Sequence, residues 1–183
     1  MRIFIKKSER IGLAVMEREN IPEIYAMIND PEVNRFLRTP SSIWYLSGEY
    51  EWYDNLCRDA NRNRVFPVIN LETDQLLGLI GLHNIDFKNG FATVGYMYGK
   101  TFWGNGFATE ALKLLMDYSF NVLNLRKLIA SVFDSNIASK KVLENNGFNI
   151  IGKYTKHSYA PDAGYQDEIL FEFMNTNYHY PDS

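Results

Sequence analysis

The residues best placed to do chemistry are three glycines, Gly99, Gly104 and Gly106, which fall within eight positions of the chain. A β-rich run precedes them and apolar residues at helical spacing follow, so residues 98–111 are predicted to form a loop between a strand and a helix. Because glycine has no Cβ, successive backbone N–H groups of such a loop can converge on one point in front of the helix dipole. This pattern favours a bound phosphate or pyrophosphate over a plain strand-to-helix turn.

Two common phosphate-binding motifs do not fit this loop. Gly99-Lys100-Thr101 looks like the end of a Walker A loop, but that motif needs a glycine at the position of Val94 and a helix that starts at once. A dinucleotide-binding fingerprint needs a third glycine or an alanine where Thr109 stands. The nucleoside triphosphatase and Rossmann interpretations therefore both fail.

Composition narrows the function classes further. The 183 residues carry a net charge of −3, which argues against a nucleic-acid-binding face and is compatible with a cationic substrate. Cys57 is the single cysteine, and His83, His157 and His179 lie far apart, so neither a metal site nor a disulfide framework is expected. Since no apolar run is long enough for a signal peptide or a membrane span, we expect a cytoplasmic protein that does not bind membranes.

The hydrophobic periodicity predicts one α/β domain over residues 1–183, with residues 175–183 as a C-terminal tail. A strand or hairpin over residues 3–16 comes first. Helices are predicted over residues 20–30, 43–59, 106–122 and 138–146, with Asn20 as the cap of the first and Gly147 ending the last. Strands are predicted over residues 65–71, 76–85, 91–98, 128–133, 148–154 and 168–174. This order implies a mixed sheet with helices on its faces.

Three blocks of the sequence resemble the GNAT N-acetyltransferases, in particular their RimJ/RimL branch. The first is Gly-Asn-Gly-Phe-Ala-Thr-Glu-Ala over residues 104–111, which follows Gly-Tyr-Met-Tyr over residues 95–98 and looks like the family's acetyl-CoA loop. The second runs from Asn136 and Ser139 to Gly147-Phe148 and is similar to the branch's Asn-X-X-Ser helix closing on Gly-Phe. The third, Asn-Asp-Pro-Glu-Val over residues 29–33, resembles the turn of the first helix.

The resemblance implies the GNAT acyl-CoA N-acyltransferase fold, a mostly antiparallel sheet that is splayed between its fourth and fifth strands and has helices on both faces. Acetyl-CoA would lie in that gap as cosubstrate, with no metal. Its pantetheine arm would pair with the backbone of Tyr96, Met97 and Tyr98, where an N–H group would stabilise the oxyanion. Its pyrophosphate would lie on the N–H groups of Gly104, Asn105, Gly106, Phe107 and Ala108, beside the Thr109 side chain, with Trp103 at a position where this branch commonly has tryptophan.

The resemblance also places Asn136 and Ser139 against the thioester. Ser139 is then the candidate general acid, which hydrogen-bonds or protonates the CoA thiolate as it leaves. The competing interpretation is a serine that caps the helix or lies in its first turn. Many relatives have a tyrosine seven residues after this asparagine, but the position is Leu143, so that tyrosine mechanism is absent there.

The sequence does not single out a general base. The amine must lose a proton, yet the position where relatives often have a carboxylate, two residues before the glycine of the fourth strand, is Thr93. The remaining candidates are His83, Glu49, Glu51, Asp54, Asp167 and Glu168. A lone strand histidine is more often structural, and the aromatic run between Trp44 and Tyr53 is more often core, although its acidic residues suit a cationic amine.

The implied function is transfer of an acetyl group from acetyl-CoA to a primary amine in a ternary complex. An acyl-enzyme is not expected, because Cys57 has no visible histidine or aspartate partner in the sequence. The sequence leaves the acceptor open: a protein N-terminus is the first candidate, and the alternative is a polyamine or another small amine. A CoA-binding regulatory module without turnover is the alternative from another class. A monomer or homodimer that binds no nucleic acid is expected.

Overall fold

A computed structural model describes residues 2–37, 43–160 and 163–178 of the chain. One sheet contains the strands β1 (Phe4–Lys7), β2 (Ile11–Ala14), β3 (Arg64–Asn70), β4 (Leu76–Asp86), β5 (Phe91–Tyr98), β6 (Lys127–Phe133), β7 (Asn149–Ala160) and β8 (Gly164–Met174). Their order across the sheet is β1-β2-β3-β4-β5-β6-β8-β7. The helices are α1 (Ile21–Ile28), α2 (Pro31–Asn34), α3 (Leu46–Arg58), α4 (Phe107–Asn121) and α5 (Ile137–Asn145).

The sheet opens between β5 and β6, which are parallel neighbours in an otherwise antiparallel arrangement. Residues 91–93 pair with residues 127–129, and the pairing stops there. Beyond this point β5 stays in register with β4 as far as Tyr98, while β6 stays in register with β8 as far as Phe133. The predicted fold is confirmed, with the splay at β5 and β6 once the N-terminal hairpin is counted as two strands.

Helices pack on both faces of the sheet, as the fold class requires. On one face, Ala111, Leu112 and Leu115 of α4 and Leu143 of α5 are fully buried in the larger hydrophobic core. On the other face, α1 and α3 cover a smaller core to which α1 contributes Ile21 and Ile24 and α3 contributes Tyr50, Trp52, Tyr53 and Leu56. The apolar spacing along α4 thus does what the sequence pattern predicts.

The first helix begins where the sequence predicts but ends earlier. Asn20 is the N-cap residue of α1, as predicted, but its side chain makes no cap hydrogen bond to that helix. The side chain instead accepts a hydrogen bond from the Glu17 N–H at 3.0 Å and closes the preceding 3₁₀ turn. The helix ends at Ile28 instead of residue 30, because Asp30 is extended and caps α2 by accepting from the Glu32 N–H at 2.9 Å. The second predicted helix begins later than expected, at Leu46.

The last two strands are longer than predicted. β7 continues to Ala160 and β8 begins at Gly164, past a register shift between Tyr154 and Ser158 where Lys156 has a φ of +47°. A lysine gives no sequence signal for such a bulge. By contrast, Gly147 ends α5 as predicted, with a φ of +80°. Within the described residues, no helix is long and apolar enough to cross a membrane.

Candidate active site

A cavity of about 1380 Å³ occupies the gap between β5 and β6 and extends to both faces of the sheet. We call the part lined by the loop before α4 and by α5 the loop half; it comprises Trp103, Gly104, Gly106, Phe107, Ala108, Thr109, Asn136 and Ser139. We call the opposite part the aromatic half; it comprises Ile24, Ile28, Trp44, Tyr45, Glu49, Glu51, Trp52 and His83. The gap therefore joins two chemically different surfaces.

The two glycines of the loop half adopt a left-handed backbone conformation, which glycine tolerates better than other residues. Gly104 and Gly106 have φ values of +76° and +78°, and Gly106 is the N-cap residue of α4 without a side-chain cap. Among the described residues, a Cβ at Gly104 would meet no atom within 4 Å, and one at Gly106 would meet only the Arg10 guanidinium at 3.7 Å. Open space therefore lies in front of the unpaired N–H groups that begin α4, which is the geometry of an anion site.

Two side chains of this loop stabilise the loop itself. Trp103 donates its Nε1–H to the Tyr98 carbonyl at 2.8 Å. The Asn105 amide donates to the carbonyls of Phe102 and Trp103 at 3.2 and 3.1 Å. Asn105 does not line the cavity, unlike the other predicted cofactor-binding residues of the loop. Its predicted role rests on its backbone N–H.

Arg10 was missed by the sequence analysis and lies directly on this loop. Its Nε donates to Glu110 Oε2 at 2.9 Å, its Nη1 donates to the Asn105 carbonyl at 3.3 Å, and its guanidinium lies 5.0 Å from the centre of the Phe107 ring. Glu110 puts a negative charge in the first turn of α4, and Arg10 offsets that charge. No local pattern reveals a pair whose members are separated by 100 positions.

The edge of β5 supplies the floor of the gap, as the resemblance implies. Tyr96 and Tyr98 face the larger core, while Met97 between them faces the smaller one. The Tyr98 hydroxyl is buried and has no hydrogen-bond partner within the described residues, and burial raises the pKa of Tyr98 well above its ordinary value. An orphaned hydroxyl of this kind costs about 1–3 kcal/mol.

Asn136 and Ser139 have different roles at the start of α5. Asn136 is the N-cap residue, and its Oδ1 accepts a hydrogen bond from the Ser139 N–H at 3.1 Å. The Ser139 hydroxyl is therefore not the cap of this helix, although Ser139 does lie in the first turn. Both residues line the cavity.

The Ser139 hydroxyl contacts Tyr96, whose side chain the sequence analysis gave no role. Tyr96 Oη lies 2.8 Å from Ser139 Oγ and donates to the Ser139 carbonyl at 3.2 Å. Burial raises the pKa of Tyr96 to about 12, against the opposing effect of the hydrogen bond with Ser139. The phenol therefore keeps its proton at neutral pH. The pairing of a strand with a helix 43 positions away is not visible in the sequence.

The aromatic half holds a carboxylate, that of Glu49, which pairs with none of the other described residues. Glu49 on α3 is only 4% exposed and lines the cavity on the same wall as Trp44 and Trp52. No ion pair or side-chain hydrogen bond of Glu49 with another described residue is present, and desolvation raises the pKa of its carboxyl above the ordinary value. Such a carboxylate favours the binding of a cationic ligand, because burying its negative charge without a partner costs free energy. Glu51 is exposed at the same wall.

The other base candidates fall into two groups. His83 lies beside the gap: a Cβ on Gly95 would be 3.0 Å from its Nε2, so this glycine leaves the space that the imidazole occupies. Glu168 also lines the cavity, is 8% exposed and accepts hydrogen bonds from the hydroxyls of Ser131 and Ser158. These two, with Glu49 and Glu51, are the predicted base candidates that reach the cavity.

The remaining candidates lie elsewhere. Asp54 pairs with Arg18 at 2.6 Å and Asp167 pairs with Lys153, and neither lines the cavity. Cys57 is exposed on α3 outside the cavity. Lys100 of the rejected Walker-like stretch is exposed and lies 3.9 Å from Glu32, away from the start of α4.

The histidines are not gathered at one place. The ring of His157 packs against that of Tyr154, with 4.6 Å between the ring centres. His179 lies outside the described residues. In the stretches 2–37, 43–160 and 163–178, no group of three or more His, Cys, Asp or Glu side chains is arranged to hold a metal ion.

Comparison with known sequences identifies the family that this chain resembles. The sequence profile of the Acetyltransferase (GNAT) domain matches residues 10–149. The chain is 36% identical over 173 residues to the uncharacterized N-acetyltransferase p20 of Bacillus licheniformis, covering 93% of this chain and 96% of that protein. It is 26% identical over 160 residues to spermidine N(1)-acetyltransferase of Escherichia coli (strain K12), covering 87% and 83%.

Solved structures share the fold. The spermidine N-acetyltransferase from Vibrio cholerae in complex with CoA and spermine superposes with a TM-score of 0.83 at 23% identity, covering 93% of this chain and 99% of that one. The ribosomal-protein-S5-alanine acetyltransferase from Vibrio fischeri superposes with a TM-score of 0.83 at 21% identity, covering 96% and 98%. At these identities the likeness concerns the fold, which serves two different acceptors in the two proteins.

Proposed function

We propose that this chain, which belongs to the GNAT acetyltransferase family, acetylates the α-amine at the N-terminus of a polypeptide as a member of the RimJ/RimL branch. It is an acetyl-CoA-dependent N-acetyltransferase. The observation that carries the proposal is the cavity that joins an anion-binding loop to an aromatic wall with one buried carboxylate across an open sheet.

In this proposal the two substrates approach from opposite faces. The phosphates of acetyl-CoA bind at the start of α4, and the pantetheine arm lies along the unpaired edge of β5 beside Tyr96, Met97 and Tyr98. The amine enters through the aromatic half and attacks the thioester carbonyl in the gap. A backbone N–H of β5 stabilises the oxyanion, and the carbon–sulfur bond then breaks beside Ser139.

The aromatic half favours an acceptor with one positive charge beside apolar groups. Glu49 supplies one buried negative charge, and its neighbours in the cavity wall include the apolar side chains of Ile24, Ile28 and Trp52. An N-terminal residue carries one ammonium group and a side chain that such a wall can cover. The Asn-Asp-Pro-Glu-Val turn and the Asn-X-X-Ser helix, which resemble the RimJ/RimL branch, support the same acceptor.

A polyamine is the second candidate, and Glu51 is the observation in its favour. A polyamine carries several charges spaced along one chain, so it requires more than one carboxylate. Glu51 lines the same wall as Glu49 and is exposed to solvent. The relative from Escherichia coli named as a spermidine acetyltransferase also supports this acceptor.

A panel of amines tests the acceptor through release of the CoA thiol. The panel contains short peptides with free N-termini, the same peptides with blocked N-termini, and spermidine and spermine. We expect the free peptides to exceed the polyamines in kcat/KM by at least about tenfold, which corresponds to about 1.4 kcal/mol, and the blocked peptides to be inert. If the chain bound acetyl-CoA but acetylated none of these amines, the result would favour the alternative of a non-catalytic CoA-binding module.

Two matched variants sharpen the choice of acceptor. Glu49→Gln should raise KM for either acceptor, because it removes the buried charge. Glu51→Gln should leave KM for the peptides unchanged and raise KM only if the acceptor is a polyamine. A preference for spermidine together with a loss in Glu51→Gln would overturn the N-terminal proposal in favour of the polyamine.

A further inference from the structure

The phenol of Tyr96 and the hydroxyl of Ser139 form a pair inside the cavity. Tyr96 comes from β5, at the edge of the gap, and Ser139 from α5, which packs over the face of the larger core. Their oxygens lie 2.8 Å apart, and the phenol also lies 3.2 Å from the Ser139 carbonyl oxygen. Both residues line the cavity, so the pair can be reached by a ligand in the gap.

Helix capping does not explain the Ser139 hydroxyl. Asn136 takes the N-cap position and binds the Ser139 N–H through its own side chain. Leu143, one turn further along α5, is fully buried in the core and carries no proton to donate. Among the described residues, the hydroxyl of Ser139 thus has the phenol of Tyr96, 2.8 Å away, as its side-chain partner.

The pair has two hydrogen-bond arrangements. When the phenol donates to the Ser139 carbonyl, its oxygen is free to accept the Ser139 hydroxyl hydrogen. When the phenol donates to Ser139 Oγ, the Ser139 hydrogen is released and can point into the cavity. Because the pKa of Tyr96 is raised to about 12, the phenol keeps its proton in both arrangements. A negative charge in the gap favours the second arrangement, since it needs a donor.

We infer that Tyr96 is a positioning residue that acts through Ser139, turning the Ser139 hydroxyl hydrogen toward the sulfur of the departing CoA. This inference rests on the proposed function, which puts the thioester in the gap. In the step itself the amine nitrogen bonds to the carbonyl carbon, and the carbon–sulfur bond breaks with its electron pair going to sulfur. Ser139 hydrogen-bonds the resulting thiolate. The proton lost by the nitrogen passes to water, and the thiolate takes up a proton from water after release.

The ionisation of bound CoA tests the inference without any acceptor. The thiolate absorbs in the ultraviolet, so the protonation of the CoA thiol can be followed against pH in the complex. Donors that bind the charged form favour it, so the wild-type complex should hold about tenfold more thiolate at a fixed pH than the Tyr96→Phe complex, a difference of one pH unit in the titration. Ser139→Ala should show the same loss.

A double variant separates action through Ser139 from an independent effect. If Tyr96 acts through Ser139, Tyr96→Phe should change nothing further in the Ser139→Ala background. Tyr118→Phe is the matched control, because Tyr118 is a buried tyrosine that hydrogen-bonds Arg64 outside the cavity. This control should lower the melting temperature and leave the thiol titration unchanged. Equal titrations of wild type and Tyr96→Phe, or additive effects in the double variant, would overturn the inference.

The rate of acetyl transfer provides a second measurement, which distinguishes a failure of this inference from a failure of the proposed function. Tyr96→Phe should lower kcat about tenfold, at the low end of general-acid effects, with KM for acetyl-CoA unchanged. If the thiol titration responds as expected while no amine is acetylated, the proposed function fails and the inference about the hydroxyl pair holds. If turnover occurs but Tyr96→Phe changes neither kcat nor the titration, the inference fails and the proposed function holds.

Discussion

The two halves of the cavity are built in different ways, although they meet at the same gap. The loop half presents backbone N–H groups held by Gly104 and Gly106, which come from one continuous stretch of chain. The aromatic half presents side chains from α1, from α3 and the two residues before it, and from β4, which are far apart in sequence. A ligand common to a whole family can be bound by backbone, because backbone is present whatever the side chains are. An acceptor that differs among relatives must be selected by side chains.

Substitution at Gly106 should have the largest effect and should fall on the loop half. Gly106→Val forces a branched residue into a φ of +78° and closes the space before α4. We expect acetyl-CoA affinity to fall by at least about 100-fold, since more than one charge-assisted hydrogen bond is lost. The strained backbone should also lower the stability by about 1–2 kcal/mol.

Gly164→Val is the matched control for that strain. Gly164 has a φ of +68° and lies outside the cavity, and no atom of another described residue would lie within 4 Å of an added Cβ. It should lose similar stability and bind acetyl-CoA normally, as measured by calorimetry and thermal melting. If both valine variants bound acetyl-CoA equally well, the anion site would have to be elsewhere in the molecule.

A smaller effect is expected at the ion pair that flanks the same loop. Arg10→Ala leaves the charge of Glu110 unopposed beside the bound phosphates, so the affinity for acetyl-CoA should fall about fivefold at low salt and less at high salt. In the Glu110→Gln background the same arginine substitution should cost little. A full loss in that background would mean that Arg10 binds the phosphates directly instead of neutralising Glu110.

The smallest effect is expected at Glu49, and it should be seen in stability as well as in acceptor binding. Burial raises the pKa of this carboxyl, so the folded protein holds the proton more tightly than the unfolded chain does. The stability that this raised pKa contributes is fully present at pH values below the pKa of the carboxyl in the unfolded chain. It is lost as the pH rises through the higher pKa of the carboxyl in the folded protein. Glu49→Gln should therefore melt a few degrees above wild type at pH 7 and level with it at pH 4. If the wild type were instead more stable than Glu49→Gln at pH 7, Glu49 would have to have a partner that stabilises its charge.

The sequence predicted the loop half better than the aromatic half for a physical reason. The glycines at 104 and 106 and the Gly147 helix end are local signals, because each fixes the backbone at its own position. The Tyr96–Ser139 pair depends instead on how β5 and α5 pack, which no spacing within the chain encodes. The bulge at Lys156 and the role of Asn20 in the 3₁₀ turn were missed because their side-chain types are compatible with several conformations.

The central claim is that both substrates occupy one cavity at the same time, one in each half. Initial rates measured against both acetyl-CoA and the preferred amine test this claim most directly. A ternary complex predicts that the double-reciprocal lines for different amine concentrations intersect, with no acetyl group left on the protein. Parallel lines, together with a stable acetyl label on the enzyme after incubation with acetyl-CoA alone, would contradict direct transfer across the gap.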